Sequence, residues 1–231
     1  MLPADDPLAI EAIAAVQRGD VEAVSRLLAA QPSLATTRIG DATMSRTMLH
    51  ALNDWPGNVP NGPLIARLLL KAGADVNARF AGPHTETPLH WAASSDDVEM
   101  IDALLDAGAD IEADGAVIAG GTPMADAVAF GQWAAAARLL VRGARVNLWQ
   151  AAGLGLVQTM HQIVAADNPS RDDLTNALWC AAHGGQDAAA DYLLGLGADA
   201  GWVGHDGLTP AGAAERSGHR ELAHRLRTLS A

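Results

Sequence analysis

Apolar and polar residues alternate along this chain with the period of paired helices. In residues 98–106 the apolar positions are Met100, Ile101, Leu104 and Leu105, an i, i+3, i+4 spacing that predicts one buried stripe on a helix. A shorter alanine-rich stretch precedes it, Leu89-His90-Trp91-Ala92-Ala93, whose small residues let neighbouring helices approach closely. Thr87-Pro88 reads as the start of this first helix. A threonine hydroxyl caps free amides, and proline fits the first helical position, where its missing N–H has no intrahelical partner to lose. Gly108 ends the second helix, where a left-handed residue is needed. The predicted unit is therefore helix, polar turn, helix, loop.

The unit recurs. Its closing phrase appears as Ala72-Gly73-Ala74-Asp75-Val76-Asn77, Ala107-Gly108-Ala109-Asp110-Ile111, Arg142-Gly143-Ala144-Arg145-Val146-Asn147 and Leu196-Gly197-Ala198-Asp199. Gly73, Gly108 and Gly143 are 35 residues apart, and Gly197 lies 54 residues further on, leaving room for one shortened unit. The opening phrase recurs as Thr47-Met48-Leu49-His50, Thr122-Pro123-Met124 and Thr209-Pro210. A fixed period of this size means stacked copies of one supersecondary unit.

These phrases resemble the ankyrin repeat, and the unit at residues 87–113 matches its pattern almost position for position. The resemblance covers about residues 6–229. It implies an all-α solenoid of helix-turn-helix units joined by short hairpin loops, in a single domain over residues 1–231. Seven units are expected: 8–34, 47–77, 87–113, 122–147, 148–164, 174–199 and 209–229. The first and last are atypical caps, and the second carries an inserted loop at 53–63. The resemblance also implies that His50 and His90 bridge neighbouring units by hydrogen bonds. Ala125 and Trp179 stand at the same place in their units, so this polar ladder is expected to break there. The unit at 148–164 lacks the Thr-Pro start and the histidine, and residues 165–173 read as an irregular loop. A weak point is expected there, dividing 1–147 from 174–231.

Composition narrows the function. The net charge is −12 and Lys71 is the only lysine, which argues against nucleic-acid binding, because phosphate contacts need Lys and Arg. The single Cys180 excludes an internal disulfide and a multi-cysteine zinc site. No run of about 20 apolar residues is present, and the acidic start through Asp5 and Asp6 is unlike a basic targeting segment. No membrane association, no metal and no cofactor are expected, and a cytoplasmic location is. The arginine-over-lysine, alanine-rich composition is compatible with a bacterial source.

The resemblance places partner contacts on a concave face made by the loops and the first helices. By i, i+3, i+4 spacing, Trp91 and Ser95 share the exposed face of one first helix, Asp126 and Phe130 that of the next, and His183 that of a later one. Asp54 and Trp55 begin the inserted loop. Aromatics with convergent polar groups fit a protein hot spot or a small-molecule pocket. Two readings follow. One is a protein-binding scaffold whose acidic charge favours a basic partner. The other is a small-molecule binder or enzyme with Asp126 and His183 as acid and base. No phosphate loop, HExxH or Gly-x-Ser-x-Gly motif is present, so catalytic activity stays undecided at this point. Each site residue also has a structural reading: Trp91 as packing, Asp126 facing water or an arginine, His183 solvated in its turn, Trp55 folded back on the core.

Overall fold

A computed structural model describes residues 1–229. It divides into two compact units, Met1–Ala144 and Arg145–Ala231. The first holds four helix pairs: α1 (Pro7–Gln17) with α2 (Val21–Ala30), α3 (Met48–Leu52) with α4 (Gly62–Lys71), α5 (Pro88–Ser94) with α6 (Val98–Asp106), and α7 (Pro123–Ala129) with α8 (Trp133–Val141). The second holds three: α9 (Leu148–Gly153) with α10 (Val157–Asp167), α11 (Arg171–His183) with α12 (Asp187–Gly195), and α13 (Pro210–Arg216) with α14 (Arg220–Leu229). The described residues thus hold seven helix pairs in succession. Among the described residues β1 (Ile39–Gly40) pairs antiparallel with β2 (Ser45–Arg46), with single bridges from Leu2 to Ile39 and from Ser45 to Ala81. Short 3-10 turns at Pro32–Ala35 and His205–Gly207 lie in two of the connections.

The stripes are buried as their period requires. Leu49, Ile65, Leu69, Leu89, Met100, Ile101, Leu104, Met124 and Leu139 have no exposed surface. Leu105, expected beside Leu104 in the core, is only half-buried, because it lies at the edge of the α6 stripe. In the second unit Leu178, Leu193 and Leu226 pack with a run of fully buried alanines. The arginines of α14 stay outside: Arg225 pairs with Asp191 at 2.7 Å while Leu222, Ala223 and Leu226 face inward.

The histidine ladder forms, with one rung the sequence did not reveal. Thr87 donates its backbone N–H to His90 Nδ1 at 3.1 Å, so Nε2 carries the proton and donates to the Gly121 carbonyl at 3.3 Å. His50 repeats this against the Glu86 carbonyl at 3.1 Å. Burial pushes both imidazoles down to about 4, so they are neutral hydrogen-bonding parts. The accepting residue in each case immediately precedes the next unit's threonine. Trp179 was expected to break the ladder. Instead its indole N–H donates at 3.0 Å to Leu208, the residue before Thr209, so the indole makes the rung in place of the imidazole.

The shortened repeat is also better built than its sequence implied. Asn147 and Gln150 replace threonine and histidine as a reciprocal cap, with Asn147 N–H to Gln150 Oε1 at 2.9 Å and Gln150 N–H to Asn147 Oδ1 at 3.1 Å. The expected irregular loop at 165–173 is mostly helix. Asn168, left-handed, ends α10, and Ser170 with Asp173 forms a capping box that starts α11 early. With α9 packed on α11, this repeat is part of the second unit, and the division between the two units falls before it, between Ala144 and Arg145.

Candidate functional site

The inserted loop between α3 and α4 is held down at both ends. Asn58 donates its backbone N–H to Asp97 at 3.0 Å and its Nδ2 to the Ser95 carbonyl at 3.0 Å. Asn61 reaches the Gly19 carbonyl at 3.1 Å. Gly57 has φ +69°, and a Cβ there would sit 2.5 Å from Ser95 Cβ, so only glycine lets the loop pass this close to α5. Asp54 accepts the Trp55 N–H at 3.0 Å and pairs with Arg46.

This arrangement leaves a cavity of about 190 Å³ in the first unit. It brings together five of the seven residues singled out from sequence: Asp54, Trp55, Trp91, Ser95 and Phe130. Trp55 is 81% exposed and Phe130 47%, so neither folds back on the core. Trp91 is half-buried, edge-on to His50 with ring centroids 5.1 Å apart, so it packs and lines the cavity at once. Ser95 is buried, contrary to the exposure expected of it, because the anchored loop covers it. Asn53, Glu86, Ser94 and Val117 complete the lining. Asn53 and Glu86 were not anticipated as site residues. They fall outside the helix-face spacing, Asn53 at the end of α3 and Glu86 in the loop before Thr87, and only the fold turns them inward.

Asp126 differs most from expectation. It faces neither water nor an arginine; it is 0% exposed. No donor reaches either of its oxygens with hydrogen-bond geometry. Burial first, then the adjacent Glu86 carboxyl, pushes its pKa up to about 9, with the Ile118 amide opposing only weakly. The carboxyl is therefore protonated at neutral pH, and its O–H is the group able to meet Glu86. Glu86 in turn accepts the Val117 N–H at 3.1 Å and lies 2.9 Å from His84 Nδ1.

His183 belongs to the second unit. Its Nδ1 is 2.8 Å from Ser217 Oγ, and its ring lies 5.5 Å from that of Trp179. Burial pushes the Cys180 thiol up to about 12, which removes it as a nucleophile at neutral pH. Two larger cavities exist. One of about 670 Å³ is walled by Ile13, Ile39, Met44, Phe80, His84 and the far side of Trp91. One of about 520 Å³ lies around Trp149, Ile163 and Asp173 in the second unit. Neither Asp126 nor His183 lines any of the three cavities. Among the described residues no group of three or more His, Cys, Asp or Glu is placed to hold a metal ion, and no helix is long and apolar enough to cross a membrane.

Comparison with known proteins accords with this geometry. Residues 58–149 match the family model for ankyrin repeats in three copies. The crystal structure of the human ASB11 ankyrin repeat domain superimposes with a TM-score of 0.57 at 20% identity, covering 96% of this chain and 97% of that one. At that identity the likeness concerns the fold alone. No curated protein matches the sequence. Ankyrin repeats generally mediate protein–protein interaction. Ankyrin repeats are thus recognised at residues 58–149, and the fold of an ankyrin-repeat domain extends along nearly the whole chain.

Proposed function

We propose that this chain binds a protein partner through the groove bordered by Trp55, Trp91 and Phe130. The observation that carries the reading is two large aromatics, Trp55 and Phe130, left exposed on the rim of one cavity whose walls are otherwise held by hydrogen bonds. Aromatics over a preformed pocket are the residues that dominate binding energy at protein interfaces. The loop that presents Trp55 is pinned by Asn58, Asn61 and Gly57, so less ordering entropy is lost on association than with a free loop.

The cavity volume weighs against a small-molecule enzyme at this place. About 190 Å³ is below the roughly 300–1,000 Å³ of small-molecule sites. The 670 Å³ cavity has the volume but contains neither Asp126 nor His183, so the acid/base reading gains nothing from it. The test is affinity capture from the source lysate with three baits: the parent, Trp55→Ala with Phe130→Ala, and a Val141→Ala control at an exposed site of α8. The expected result is a partner retained by the parent and the control and lost by the double variant. A partner retained equally by all three would place the interface elsewhere.

A further inference from the structure

We propose that the cavity between Trp55, Trp91 and Phe130 seats an arginine side chain of the protein partner. This rests on the groove reading above and adds the chemistry of its anchor. The volume, about 190 Å³, suits one side chain. The polar groups of the lining select which one. Asn53 is 1% exposed and donates its Nδ2 to the Leu49 carbonyl at 2.7 Å. This fixes the amide and leaves Oδ1, a buried acceptor, with no partner. Glu86 adds carboxylate lone pairs beyond those used by the Val117 N–H, His84 and the Asp126 O–H. Ser94 donates its hydroxyl hydrogen to the His90 carbonyl at 2.9 Å and so faces other groups only as an acceptor.

A lining of acceptors asks for a ligand made of donors. An aliphatic anchor would cover the free lone pairs of Glu86 and Asp54 without satisfying them, which costs free energy, and would leave Asn53 Oδ1 as unpartnered as it already is, while an anion would meet Glu86 and Asp54. The three aromatic rings favour positive charge over their faces. Between the two cations, guanidinium is flat, stacks on rings, is weakly hydrated and carries five donors in a fixed fork, whereas ammonium is a compact, strongly hydrated point charge. A guanidinium leaves Trp91 Nε1–H without a partner, as the unbound protein already does. The net charge of −12 further favours encounter with a cationic segment.

The experiment uses the full chain labelled with 15N, following the indole N–H resonances of Trp55 and Trp91. The probes are N-acetyl-arginine amide and its citrulline counterpart, which has nearly the same shape and no charge. Saturable shifts are expected with the arginine compound, with citrulline at least roughly fivefold weaker. Trp55→Ala, at a site too exposed to carry the fold, should weaken arginine binding by a similar factor, and so should Glu86→Gln. Equal response to arginine and citrulline, or shifts that do not saturate, would overturn the inference. Capture and titration fail separately. A partner lost with Trp55→Ala and Phe130→Ala while the two probes act alike leaves the groove standing and removes the arginine. Selective arginine binding with no partner dependent on the groove does the reverse.

Discussion

Replacing Asp126 by asparagine should flatten the pH dependence of stability. Asp126 is buried with no donor to its oxygens, and its pKa is raised from 3.8 to about 9 by burial and by Glu86. A raised carboxyl pKa means the folded protein holds a proton that the unfolded chain has released. The stabilising contribution is then fully present below pH 3.8 and is lost as pH rises toward 9. One proton gives a slope of about 1.4 kcal/mol per pH unit, or about 4 kcal/mol between pH 5 and 8. Asparagine keeps the shape, cannot ionise, and offers an N–H to Glu86. Urea unfolding of parent and Asp126→Asn at several pH values between 5 and 8.5 isolates the effect. His50 and His90, pushed down to about 4, make stability rise with pH up to about 6.5, but they do so in both proteins and cancel in the difference. The difference should grow in favour of the variant as pH rises. Parallel curves would mean that Asp126 ionises freely in the folded state, and the description of its surroundings would be wrong.

Three further outcomes follow from the packing. Leu104→Ala should cost about 2–5 kcal/mol in urea unfolding, from lost transfer energy and a residual cavity, and half-buried Leu105→Ala clearly less; equal costs would contradict the α6 register. Trp179→Phe should cost about 0.5–1.5 kcal/mol, because the indole bond to the Leu208 carbonyl is lost while that carbonyl keeps the Gly204 N–H; an unchanged midpoint would mean the indole rung contributes nothing. Amide exchange should be faster in α10, which buries only Met160, than in α11, which buries Leu174, Ala177, Leu178 and Trp179 among others. Equal protection in these two helices would show that burial does not set local stability there.

The helix pairs were legible because two local signals coincide in most units: the i, i+3, i+4 stripe and the glycine that ends it, as at Leu104 and Gly108. Residues 58–149, where opening and closing phrases are fullest, are also where the family model matches. What was not legible depended on substitutions that keep a hydrogen bond while changing the residue type. Trp179 replaces histidine yet meets the equivalent carbonyl, and Asn147 with Gln150 replaces threonine with histidine in a cap. Five of the residues that line the cavity could be found from helix-face spacing and the inserted loop. Asn53 and Glu86 could not, since a helix end and a connecting segment have no period. The burial of Asp126 was missed for a related reason: the spacing places it on the first-helix face but says nothing of Glu86 and Ile118 in the neighbouring loops that cover it.

The central claim is that Trp55 and Phe130 anchor a protein partner. It is tested most directly by calorimetric titration of the captured partner against the parent and against Trp55→Ala and Phe130→Ala singly. The account predicts a loss of at least about 2 kcal/mol, roughly 30-fold in Kd, for one of the two, with the unfolding midpoint of each variant unchanged because both side chains are exposed. Affinities within about twofold of the parent for both variants would contradict it.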